Sequence, residues 1–148
     1  MAETLGSLCD KLTIINLKHY HSTDAARLES LEKQRQQLSD EIDEYVHDAR
    51  TGTIKSHQLT FAANKVYDKT KYQQEKPEGS LGQLFFSLAS ANCELWHEQE
   101  KVYNFENIAN EDKATLLSNL AKLNLKRNAC IDSIDASFAK VVLTRQNS

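Results

Sequence analysis

Two short runs hold most of the side chains that could do chemistry. Glu94-Leu-Trp-His97 and Glu44-Tyr-Val-His47 each place a carboxylate and an imidazole three residues apart. On a helix that spacing turns both groups toward one point, as general acid–base pairs and di-metal carboxylate centres require. Glu100 adds a second carboxylate just beyond His97. His97 with Glu94 or Glu100 is thus the candidate catalytic set, and Glu44, His47, Glu94 and His97 are the candidate metal ligands. The metal reading is the weaker one. Glu44 and His47 fall at the end of their segment beside Arg50-Thr-Gly-Thr53, where water reaches them. The sequence contains no GxGxxG, GxxxxGK[ST], HExxH or GxSxG, so no familiar nucleotide-binding or hydrolase motif assigns a reaction.

A second set is suited to binding. Arg35 and Arg127 each interrupt a leucine stripe, and a planar guanidinium fits a carboxylate or phosphate. Asn16, Asn92, His21 and His97 recur around them, giving the ligand-binding candidates Asn16, His21, Arg35, Asn92, His97 and Arg127. Each also has a purely structural reading. Asp10 and Arg35 face each other if the chain turns near residue 23, which would make an internal ion pair. The asparagines would then fix helix register, and His21 would complement a helix C-terminus.

These residues belong to a sequence written nearly twice. At a spacing of 76, Leu5, Gly6, Leu8, Leu12, Asn16 and His21 match Leu81, Gly82, Leu84, Leu88, Asn92 and His97, and Tyr20 matches Trp96. At a spacing of 92, Leu31, Arg35, Leu38, Ile42 and Asp43 match Leu123, Arg127, Cys130, Ile134 and Asp135. The change of spacing places extra residues in the second connection, around Tyr103–Asp112. In this register Lys18 stands opposite Glu94, so the two Glu-x-x-His runs are not related by the repeat.

The elements that must position them are helices. Apolar residues recur at steps of three and four from Thr4, a cap, to His21, and from about Ala25 to Asp48 through Leu28, Leu31, Leu38, Ile42, Tyr45 and Ala49. Gly52 is a natural stop. A shorter helix is expected over about 54–72, then a linker holding Pro77 and Gly79. Ser80 caps a helix to about Tyr103, and Asn110 caps the last, striped by Leu117, Leu120, Leu123, Cys130, Ile134, Phe138 and Val141 to about Leu143. The reading is one all-α domain over 1–148: a four-helix bundle of two repeated hairpins (1–50 and 76–145) related by a pseudo-twofold axis, plus a connecting helix.

One proline and four glycines in 148 residues agree with long helices. A net charge of −3 without a basic stripe argues against nucleic acid as a partner. No run is apolar enough to insert in a membrane, and the N-terminus does not read as a secretory signal. Three cysteines without CxxC suit a reducing, cytoplasmic setting. Ile14, Leu17, Phe85 and Phe86 lie off the core stripes, so a homodimer is expected.

Asp10-Lys11-Leu-Thr-Ile14, Leu17-Lys18, Ala91-Asn92, Leu95-Trp96-His97, Lys126-Arg127-Asn128, Ile131-Asp132 and Ile134-Asp135 together resemble two related bacterial families of helical domains of unknown function. Those families are frequently encoded among lipopolysaccharide and surface-sugar biosynthesis genes. Where they carry a Glu-Asp doublet after Leu-Trp, this chain has Gln99-Glu100. The resemblance implies an all-helical accessory or binding module in surface-polysaccharide synthesis, and an anionic sugar or sugar nucleotide is the ligand expected at the paired arginines. It supplies no catalytic residue and no cofactor. A small His/Glu or metal-dependent enzyme, and a purely structural or oligomerising protein, are the competing readings.

Overall fold

The computed structural model describes residues 2–61 and 76–146. Among the described residues there are four α-helices: α1, Leu5–His21; α2, Ala25–Thr51; α3, Leu81–Val102; and α4, Asn110–Gln146. Among the described residues there is no strand, and the fold is an all-α bundle.

Local chemistry sets the helix starts. Thr4 Oγ1 accepts from Ser7 N at 3.2 Å while Ser7 Oγ accepts from Thr4 N at 2.8 Å, a reciprocal cap. Ser80 and Gln83 repeat the arrangement at α3, and Asp24 accepts from Arg27 N at 2.8 Å at α2. Gly52, at φ 81°, ends α2 in the left-handed region. Asn110 is not a cap: it is the first residue of α4, and Ala109 O accepts from Asp112 and Lys113 N.

The short connection Ser22–Asp24 makes α1 and α2 antiparallel neighbours, and α3–α4 form the second hairpin. α1 is the hub, packing on all three other helices. α3 runs parallel to it, since Asp10 meets Asn92 and His21 meets Trp96 further along both. Leu5, Leu8, Tyr45, Leu84, Leu88 and Phe138 share the main core, at the end where α1 and α3 begin and α2 finishes. The Tyr45 and Phe138 rings lie 6.2 Å apart there.

The helix expected over about 54–72 is not found in its described part. Residues 56–58 make a single 3₁₀ turn and Leu59 is buried in the core, so the chain bends to insert that side chain instead of continuing a helix. Its remainder, from residue 62, lies outside the described residues, as do 73–75 of the linker. The extra length of the second hairpin is not confined to its loop. α3 has 22 residues against 17 in α1, α4 has 37 against 27 in α2, and the loop between α3 and α4 holds one 3₁₀ turn, Phe105–Asn107.

The expected symmetry is broken. α1 packs along α4, but α2 and α3, which a pseudo-twofold would pair in the same way, make no substantial contact. Matched residues therefore live differently: Gly6 is buried and Gly82 exposed, Asn92 buried and Asn16 exposed, Asp135 buried and Asp43 exposed. Leu117 and Val141, expected in the α4 stripe, are exposed, and Leu116 and Val142 take the inward positions beside them. The resulting bundle is open along the α2–α3 edge.

Candidate functional site

Asp10 lies inside the bundle, 5% exposed, on the side of α1 that faces α3 and α4. Arg127 grips it with Nε on Oδ1 at 2.8 Å and Nη2 on Oδ2 at 2.5 Å, a fork-on-carboxylate pair. Asn92 Nδ2 donates to the same Oδ1 at 2.9 Å and to Thr13 Oγ1 at 2.8 Å, and Thr13 in turn donates to Asp10 O at 2.7 Å. The hydrogen bond to Asp10 raises the Arg127 pKa, so the guanidinium stays charged. The network joins α1, α3 and α4 and engages Arg127 and the Asn92 amide nitrogen, two of the expected ligand contacts, inside the fold.

The expected Asp10–Arg35 pair does not form. Arg35 lies on α2, away from the face of α1 that carries Asp10, and it pairs along its own helix with Glu32, Nε to Oε2 being 2.9 Å. Its guanidinium is half-exposed, which suits it to a solute. Arg35, Asn16 and Ser39 line one groove with Thr13, Leu12, Leu17 and Ala89, a cavity of about 380 Å³ along the open α2–α3 edge. Ser39 Oγ donates to Arg35 O at 2.9 Å, and its oxygen keeps the capacity to accept a hydrogen bond. The lining is mixed, with polar Thr13, Asn16, Arg35 and Ser39 beside apolar Leu12, Leu17 and Ala89. Thr13, Ser39 and Ala89 were missed in the sequence, because nothing in their spacing sets them apart from ordinary helix residues.

The aromatic–histidine ends of α1 and α3 do come together. The His21 ring stacks on Trp96 at 4.9 Å with an 11° tilt, and His97 stands perpendicular to His21 at 6.4 Å. Trp96 Nε1 donates to Glu100 Oε1 at 2.8 Å, and His97 Nδ1 is 3.9 Å from Glu100 Oε2. His97 and Glu100 are both more than half exposed, and Glu94 is exposed too. Water competes for every proton such a set could move. Glu44 and His47 are exposed near the far end of α2, at the opposite end of the bundle, so the four expected metal ligands do not converge. Among the described residues, no three His, Cys, Asp or Glu side chains are placed to hold a metal ion.

A second buried carboxylate, Asp135, sits against the start of α1. Its Oδ1 accepts from Gly6 N at 2.7 Å, and the Thr4 hydroxyl supports it. Burial outweighs these donors and pushes its pKa up to about 6 from an ordinary 3.8. The folded chain therefore holds a proton here that the unfolded chain releases between those values. Stability from this residue is full below the unfolded pKa and is lost as pH rises through about 6. Asp135→Asn keeps an acceptor for Gly6 without the charge. It should stabilise the protein by about 1–2 kcal/mol at pH 7.5 and by little at pH 4. Urea titrations at the two pH values check this; an equal shift at both would refute it.

Cys9, Cys93 and Cys130 are separate thiols, and burial raises the Cys9 pKa to about 11, which leaves it a poor nucleophile. Among the described residues, no helix is long and apolar enough to cross a membrane. Compared with known proteins, the chain matches no family model, no curated protein and no solved structure.

Proposed function

We propose that the chain is a cytoplasmic binding or accessory module whose ligand is an anionic sugar or sugar nucleotide, held in the groove between α1, α2 and α3. One observation carries the reading: Arg35 and Asn16, from different helices, line the same groove, together with apolar Leu12, Leu17 and Ala89. The guanidinium supplies a partner for a phosphate or carboxylate. Asn16 and Ser39 supply hydrogen bonds for hydroxyls, and Leu12, Leu17 and Ala89 supply a surface for the carbon face of a ring. The resemblance to domains encoded among surface-polysaccharide genes supports the same ligand class. An enzyme built on His97, Glu94 and Glu100 is the weaker reading, because those groups are solvated.

Thermal shift with glucose 1-phosphate and with a uridine diphosphate sugar tests the proposal. Saturating ligand should raise the melting temperature of the wild type, by linkage. Arg35→Leu should fold as well as wild type, since its ion pair with Glu32 is at the surface, and should lose the shift. A shift retained in Arg35→Leu, or none in the wild type with either compound, would overturn it.

A further inference from the structure

The first thirteen residues of α3, 81–93, contain no charged side chain, in a chain that is 26% charged. One face is accounted for: Leu84, Leu88, Ala91 and Asn92 are buried against the bundle. The other face carries Gly82, Phe86, Ala89 and Cys93, all exposed, with Phe86 75% exposed. Steps of four, three and four keep these residues on a single line along the helix. A solvated helix face is normally polar, as the outward side of α2 is with Glu29, Lys33, Asp40 and Glu44.

We propose that this face is the interface of a homodimer in which two copies of α3 pack antiparallel across a two-fold axis. The occupant is a second copy because the face complements itself. The four positions are symmetric about the point midway between 86 and 89. An antiparallel pair therefore lays Phe86 of each chain on Ala89 of the other, and Cys93 on Gly82. Every contact matches a larger side chain with a smaller one, as close helix packing requires. The Cβ position of Gly82 has open space around it, room for the opposing residue. The stripe brings no like charges together, whereas a two-fold through the outer face of α2 would. Ala89 also lines the α1–α2–α3 groove, so the same contact places the partner's Phe86 at its rim.

The test is made on the full chain without ligand, so it stands apart from the groove reading. Light scattering after size exclusion should give twice the chain mass. Phe86→Glu should give the chain mass with unchanged helical circular dichroism, because Phe86 lies outside the core. Gly82→Cys should cross-link rapidly to Cys93 of the partner subunit under diamide, giving a disulfide-linked dimer on a non-reducing gel. Wild type should not, since its two Cys93 thiols would lie about 16 Å apart along the axis, too far for a disulfide. A monomeric wild type, a dimer that survives Phe86→Glu, or a dimer whose Gly82→Cys variant fails to cross-link would each overturn the proposal.

Discussion

Asp10→Ala should lower the unfolding free energy by about 2–4 kcal/mol, far more than any surface ion pair in this chain contributes. The carboxylate is the common acceptor for Arg127 and Asn92, so its loss strips two donors at once. Thr13 still accepts from Asn92, and about a third of the Arg127 side chain reaches solvent, which keeps the penalty below that of a fully stranded charge. Arg35→Met supplies the contrast. Its partner Glu32 is one turn away on the same helix and half-exposed, so the change should leave the urea midpoint nearly unmoved. Combining Asp10→Ala with Arg127→Met should be milder than the sum of the two, by about 1–2 kcal/mol, since each single change leaves the other group without its opposite charge. Urea titration of the four proteins at one concentration measures the coupling. Additive effects, or an Asp10→Ala cost under about 1 kcal/mol, would show that the network does not tie the hairpins together.

That network also shows where the sequence stopped being informative. The helix ends were legible because they depend on neighbours: Thr4 with Ser7, Asp24 with Arg27, Ser80 with Gln83, and the left-handed Gly52. The inward face of α2 was legible too, since Leu31, Tyr45 and Ala49 are buried at the steps its stripe prescribes. A stripe says which side of a helix goes inward; it does not say which helix meets it. Asp10 could satisfy an arginine on α2 or on α4 with the same sequence, and only the packing of α1 on α4 chooses Arg127. The repeat gives Asn16 and Asn92 equivalent interior faces, yet only Asn92 is buried. With the α2–α3 edge open, the side of α1 that carries Asn16 has no third helix over it. The groove arises from that missing contact, a property of helix order that no local pattern encodes. Leu117 fails for a related reason, because Leu116 beside it in α4 is the one that finds the bundle.

The two matched glycines give the sharpest test of this asymmetry. Gly6→Ala should destabilise by about 2–4 kcal/mol, while Gly82→Ala should be neutral or stabilise by up to about 1 kcal/mol. At Gly6 a Cβ would stand 2.5 Å from Ile131 O and 2.9 Å from Asp135 Oδ1. The first is backbone of α4 and cannot swing aside. Relief would require α1 and α4 to separate, which disturbs the Gly6 N–H bond to Asp135 and the packing of Leu5 and Leu8. At Gly82 nothing of its own chain lies within 4 Å, so within the protomer the methyl only removes backbone freedom from the unfolded chain. Two helices identical at Leu, Gly and Leu thus give opposite signs, because Gly6 lies against the backbone of α4 and Gly82 does not. Thermal and urea unfolding of both variants decide it. Equal effects would mean that α1 and α3 stand in equivalent settings, and the open α2–α3 edge, with the groove it creates, would have to be abandoned.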